Sequence, residues 1–486
     1  MLKFKTFRIV FILLSLIFIV NTAEAGIAEI QKLPAYEKTE YYGMYFNGQK
    51  MGWRSLKIAK DRYGNMIMSD ISRISQSING KMVEMEIISK KTFDKKGQLN
   101  LVDFVSKSPV GESRIRGVVT GSQIALTSFT GGRMSSKNVA LGKENIEDQF
   151  AVSVAILNGT AKAGQSFRSS VFDPSIKRSV VVDEKIITVE KRMLNGVANT
   201  IYITEGNIAE LSMPFNILYN DKGETLEMNY STAFNFKLES KKRAQSKENM
   251  GDIVLSSVIK TPQAIDISAP GKMDATFKGI KDELMVNNER QKWIRLDKDT
   301  ASLKIARENI SAKDALFAKP QQQKELAEYL SEEANIQTSD PRIVKRAGQL
   351  KKGVDNSFAL TAKILDWVYS SMEKKYTPTF SNASEAIESM EGDCGEHAVL
   401  FVALARAAGI PAREVTGIVY SPDVQGFGYH AWAEVWLGKW VSVDPSWNQF
   451  PVDASHIAFA FGGIEKQVKI ISVMGLISIE SLEVTK

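Results

Sequence analysis

The sequence predicts an α+β protein: a long antiparallel β-rich region first, then a region where helices and strands mix. Three observations carry this. Between about Tyr41 and Leu255, alternating apolar and polar runs are separated by Gly-containing turns. From about Gln321 the apolar spacing becomes helical. After Pro411 it returns to short apolar runs of strand type. With 44% hydrophobic and 24% charged residues, the chain of 486 residues has a globular composition. Its net charge of +6 is small, and no basic stripe is interleaved with aromatics, which argues against a nucleic-acid partner. The expected segments are 1–25, 26–255, 256–340 and 341–486.

The first segment reads as a secretory signal. Lys3, Lys5 and Arg8 form a basic stretch, the run Ile9–Val20 is apolar apart from Ser15, and Ala23-Glu24-Ala25 offers a cleavage site. That run is shorter than the roughly 20 residues that span a bilayer. The mature chain is therefore expected to be exported, periplasmic or secreted, and not integral to the membrane. No cysteine follows the run, so no lipid anchor is expected there.

The second segment is expected to be a meander, curved into a half-barrel. Its turns are Asn47-Gly48, Tyr63-Gly64-Asn65, Asn79-Gly80, Lys95-Lys96-Gly97, Gly131-Gly132, Asn195-Gly196 and Asp221-Lys222-Gly223. Asn-Gly between alternating runs is the strongest of these signals, because both residues tolerate positive φ. Val83, Met85 and Ile87 alternate with acidic residues and define one face. One helix interrupts the strands near Glu144–Leu157, and no cluster of catalytic residue types is evident. The polar run Lys241–Asn249 reads as a surface loop or linker, and strands are expected at Ala264–Ile267 and Ala275–Phe277.

Helices follow. Asp340 and Pro341 are an N-cap and a first-turn proline. A helix over about Phe358–Lys374 carries Leu360, Ile364, Trp367 and Val368 on one stripe. Cys394, the only cysteine, stands before the apolar run Ala398–Ala405, which closes at Gly409 and stops at Pro411. A lone cysteine excludes an intramolecular disulfide, and by itself reads as a small buried apolar residue. A helix N-terminus is a different setting, since its free N–H groups favour a thiolate and an adjacent oxyanion. Strand-like runs follow at Arg413–Tyr420, His430–Leu437 and Trp440–Val443. A turn at Gly438-Lys439 would bring His430 and Asp444 together, so a carboxylate holds one imidazole nitrogen while the other faces the thiol.

The strings Gly392-Asp393-Cys394, Ala407-Ala408-Gly409-Ile410-Pro411-Ala412-Arg413, His430-Ala431-Trp432-Ala433-Glu434-Val435 and Val443-Asp444-Pro445 resemble the transglutaminase-like superfamily of papain-type thiol enzymes. The resemblance covers about Phe358–Gly462. It implies a papain-like core, with Cys394 as nucleophile, His430 as general base and Asp444 as orienting carboxylate. It further implies acyl transfer from an amide of a protein or peptide, to water or to an amine. Hydrolysis by an exported protease or amidase is the favoured expectation. The alternatives are transglutaminase-type cross-linking and a non-catalytic envelope protein that binds a partner through the β-rich region. For the second oxyanion donor the resemblance leaves Tyr376 and Trp367 open.

Other residues have plainer readings. His397 lies within reach of Cys394 on its helix but is expected to pack beside Glu396. Asp393 and Glu396 read as groups that adjust the thiolate or contact substrate, and equally well as a solvated helix start. Glu434 shares a strand face with His430 and Trp432 and is expected near the cleft. Trp432, Trp436, Trp440 and Trp447 read as core and cleft wall, and His456 as nearby strand or loop. No cofactor is expected: one cysteine and three dispersed histidines do not give metal-ligand spacing.

Overall fold

The computed structural model describes residues 27–78, 81–108, 111–130, 133–194, 196–211, 213–230, 234–248, 250–251, 256–262, 270–310, 317, 320–333, 335–375, 382–463, 470 and 475–486. The expected signal segment, Asn79-Gly80, Gly131-Gly132, Asn195 and Ala264–Ile267 lie outside the described residues. The described chain forms two compact units that meet in sequence between Ser256 and Ser257.

The first unit is a fourteen-stranded antiparallel sheet. Strands one to eight run outward in chain order, from Glu40–Phe46 to Arg133–Ala140. Strand nine, Ser166–Asp173, then opens the far edge, and the chain works inward to strand fourteen, Phe234–Glu239, which pairs with strand one. Asn47-Gly48 makes the first hairpin with φ of 49° and 74°, the positive pair that a two-residue turn needs. The sheet curves enough to bring its ends together. Gly142, past strand eight, donates its N–H to Ser179 Oγ on the strand Arg178–Leu194 at 2.9 Å. Glu144 accepts from Lys91 Nζ at 2.7 Å on the strand Lys81–Phe93 and from the Phe172 N–H on strand nine. The expected helix is shorter than its sequence signal, Ala151–Leu157 preceded by a 3₁₀ turn, and its side chains are buried through Ile156.

Strand alternation places Met85 and Ile87 in the core as expected, yet several inward positions carry charge. Arg54 is paired with Asp70, and Glu184 accepts from the hydroxyls of Thr204 and Tyr219. Burial pushes Glu184 up to about 8, against the lowering effect of those two hydrogen bonds. The sign follows directly. A carboxyl whose folded pKa lies above its unfolded value disfavours the folded state progressively as pH rises from about 4.5 to about 8. Glu184→Gln is therefore expected to match wild-type stability near pH 4.5 and exceed it by on the order of 5 kcal/mol above pH 8. Parallel wild-type and variant melting curves across that range would contradict this.

The second unit begins at Ser257. The reason is pairing: Lys272–Lys278 hydrogen-bonds to both Thr300–Ala306 and Ser478–Thr485, joining the connecting stretch to the C-terminal strand. Here the helices Pro341–Lys351, Ser357–Ser371 and Ala383–Ser389 pack on the helix Cys394–Ala407, which lies against a five-stranded sheet. Pro341–Lys351 starts at Asp340, whose side chain accepts from the Arg342 N–H. Ser357–Ser371 buries Leu360, Ile364 and Val368. The helix Cys394–Ala407 is buried all round through Arg406, packed between the other helices and the strands Ala412–Ser421 and Gly426–Trp436. A helix apolar on every side belongs in the middle of a fold. Leu400 and Phe401 alone contribute about 1.5–3 kcal/mol each by burial.

Candidate active site

The start of the central helix is fixed by its own sequence. Asp393 is the N-cap: its carboxylate accepts from the Gly395 N–H at 2.9 Å, and Glu396 Oε2 accepts in return from the Asp393 N–H at 3.0 Å. Both carboxylates are buried, so the expectation of a solvated helix start is corrected. Gly392 is required by this capping box. A Cβ there would lie 2.2 Å from Glu396 Cβ. Cys394 is thus the first helical residue, with its side chain 9% exposed. His397 turns away into the helix start, with Nδ1 2.7 Å from the Asp393 carbonyl.

His430 sits within the strand Gly426–Trp436, and Asp444 follows the strand Trp440–Val443. Trp436 pairs with Trp440 and Ala433 with Val443, so the hairpin closes around Gly438. The strand begins at Gly426, four residues before its expected start at His430, because Ile259–Lys260 and Ala412–Ser421 flank it on both sides. This geometry sets His430 Nε2 2.7 Å from Asp444 Oδ2. Asp444 Oδ1 accepts from the Ser446 N–H and hydroxyl, both at 2.7 Å, and from the Trp447 N–H at 3.1 Å. Burial opposes ionisation of Asp444, but the His430 charge and hydrogen bond, with His456, hold it well below the usual carboxylate range. For His430, burial disfavours the imidazolium. The Asp444 charge and hydrogen bond, joined by the Cys394 side chain, outweigh it and raise the ring to about 9. His430 Nδ1 is the ring nitrogen that Asp444 does not use.

Aromatic rings wall the pair. Trp432 stacks on His430 at 6.1 Å and Trp447 lies at 5.1 Å. Glu434 is taken up by Arg413 at 2.6 Å and by the Ser442 hydroxyl at 3.2 Å, so it does not line an open cleft. Trp367 carries the Arg346 guanidinium over its ring at 4.6 Å, and Tyr376 lies outside the described residues.

In the sequence His456 reads only as nearby strand or loop, but its Nε2 lies 3.2 Å from the same Asp444 Oδ2. A signal for this existed. Asp444-Pro445-Ser446 and Asp453-Ala454-Ser455 form the same turn, each aspartate accepting from the serine N–H and hydroxyl two residues on. Linear spacing also understated the grouping, since ligand-type atoms of His430, Asp444 and His456 fall within 4.8 Å of one another. Those atoms hydrogen-bond to each other.

Residues 344–445 match the sequence model of the transglutaminase-like superfamily. A curated relative, an uncharacterized protein of Mycobacterium leprae, is 29% identical over 93 residues, which is 18% of this chain and 33% of that protein. The chain thus spans about a third of that relative's length. Among solved structures, a provisionally assigned cysteine protease from Cytophaga hutchinsonii is 18% identical, with 46% of this chain and 90% of that one covered and a TM-score of 0.32. A β-barrel-like protein with the domain of unknown function DUF1849, from Brucella abortus, is 10% identical, covering 42% and 95% with a TM-score of 0.32. The periplasmic domain of TgpA from Pseudomonas aeruginosa, bound to ethylmercury, is 14% identical over 40% and 92%, with a TM-score of 0.25.

The described residues form an α+β protein, and the matched segment lies in its second unit. Residues 344–445 are thus similar to the transglutaminase-like superfamily, and Cys394, His430 and Asp444 all lie within them.

Proposed function

We propose that this protein is an exported cysteine-dependent hydrolase of peptide or isopeptide amides, working through an acyl-enzyme on Cys394. The observation that carries the reading is the buried 2.7 Å His430–Asp444 pair, whose imidazole interacts with a cysteine at the start of a buried helix. The Cys394 thiolate attacks the amide carbonyl, forming the C–S bond, and the oxyanion is met by the Cys394 N–H at the helix start. His430, as imidazolium, gives its proton to the leaving nitrogen as the C–N bond breaks. Neutral His430 then takes a proton from water as its oxygen attacks the thioester; the C–S bond breaks, releasing the acid and restoring the Cys394 thiolate and the His430 imidazolium. Asp444 holds the ring in position through both steps. Export rests on the N-terminal sequence signal. Among the described residues no helix is long and apolar enough to cross a membrane.

The test is the reactivity of Cys394. Iodoacetamide is expected to alkylate it at pH 7, with the rate falling at least about 10-fold in His430→Ala. An inert wild-type thiol, or equal rates in both proteins, would favour the non-catalytic binding role. Loss of reactivity in His397→Ala alone would move the base to His397.

A further inference from the structure

His456 has a carboxylate at each ring nitrogen. Nε2 lies 3.2 Å from Asp444 Oδ2 and Nδ1 lies 3.4 Å from Asp453 Oδ1. A neutral imidazole would turn one lone pair toward a carboxylate, so two such acceptors call for both nitrogens to be N–H. The ring is fully buried, edge-on to Trp432 and Trp447 at 5.4 Å each, and 6.0 Å from His430. Asp444 Oδ2 therefore takes a hydrogen bond from each of two imidazoles.

The loop carrying His456 is held from outside the matched segment. The Arg290 guanidinium donates to the carbonyl oxygens of Asp453 and His456, and Arg290 is itself buried. Its Nε pairs with Glu308 Oε2 at 3.2 Å. The other Glu308 oxygen accepts from the Ser442 N–H at 2.9 Å, on the strand that leads into Asp444. Next to Arg290, the Gln291 amide donates to the Ala458 carbonyl at 2.8 Å and accepts from its N–H at 3.0 Å. One buried pair thus ties together the strand before Asp444 and the loop before Ala458.

We propose that His456, held by Asp453 and by the Arg290–Glu308 pair, is a positioning residue that fixes the Asp444 carboxylate and through it the His430 ring. This rests on the reading of Cys394, His430 and Asp444 as the reacting set. His456 also offsets part of the Asp444 charge that acts on His430. The charged groups around it among the described residues are Asp444, Asp453 and His430, with Arg290 on its backbone. Burial opposes its charge, and the hydrogen bonds to Asp444 and Asp453 raise its pKa nonetheless.

The experiment measures iodoacetamide alkylation of Cys394 and turnover of a glutamine-donor peptide against pH, in wild type, His456→Gln, His456→Phe and Arg290→Lys. Gln keeps a donor near the Nε2 position and loses the charge. It is expected to leave kcat within about 3-fold and to move the alkaline limb upward, because His430 then feels Asp444 unshared. Phe also loses the hydrogen bond, and kcat is expected to fall about 10–100-fold with KM little changed. Arg290→Lys is expected to fall between the two. A purely structural role would lower the folded fraction and leave the limb of the folded protein in place. An unmoved limb in His456→Gln overturns the proposal, whether or not His456→Phe folds. Absence of His430-dependent alkylation in wild type overturns the underlying reading instead, so the two failures are distinguishable.

Discussion

Cys394→Ala is expected to reduce turnover of a glutamine-donor peptide by at least about 10⁴-fold, because the sequence holds no second thiol to form the acyl intermediate. The Cys394 side chain is small and stands at a position pinned by Asp393 and Glu396, so the variant should fold and melt close to wild type. Activity loss with unchanged stability separates a chemical role from a packing role. Retained turnover in Cys394→Ala would end the thiol mechanism. The same assay identifies the acyl acceptor. With an added primary amine, hydrolysis is expected to remain the faster outcome. Amine incorporation outpacing acid release would make the protein a cross-linking enzyme on the same intermediate.

Asp444→Asn should cost about 10³–10⁴-fold in kcat/KM. Two effects combine. The amide can present a donor where Nε2–H needs an acceptor, and the charge that holds His430 near 9 is gone. The alkaline limb should therefore move to lower pH, opposite to the shift expected for His456→Gln. Stability changes with the same sign. A histidine whose folded pKa is raised contributes stability fully below its unfolded pKa near 6.5, and this is lost as pH rises through about 9. Wild type should lose stability over that window, and Asp444→Asn should lose less. A variant with more than a tenth of wild-type activity and an unmoved limb would remove Asp444 from the site.

Much of the site was legible because its chemistry is written locally. The Gly392-Asp393-Cys394 string encodes a close approach, a cap and a side chain at the first helical position, within four residues of Glu396. His430 and Asp444 are joined by a short hairpin, so counting outward from Gly438 brings them together. What resisted reading depends on distant chain. Gly426 begins a strand because two other strands flank that segment, against the weak strand propensity of glycine. Glu396 and Asp393 look solvated in sequence, since each finds its partner only in the folded capping box. His456 depends on Arg290, 166 positions away. In the β-rich unit, alternation located the inner face but not its charges. Arg54, Lys91 and Glu184 point inward because Asp70, Glu144, Thr204 and Tyr219 meet them there.

The order of the fourteen strands has a consequence for how the chain is made. Strands one to eight form by successive neighbours, as do strands nine to fourteen, so each half can zip locally as it emerges. The seam between Glu40–Phe46 and Phe234–Glu239 has to wait for almost the whole unit. Until then strand one is an open edge lined by Tyr42, Met44 and Phe46, which the finished sheet buries. A nascent chain halted before Phe234 would thus present an adhesive margin to any neighbour. Strand fourteen acts as the fold's own late-arriving guard against self-association.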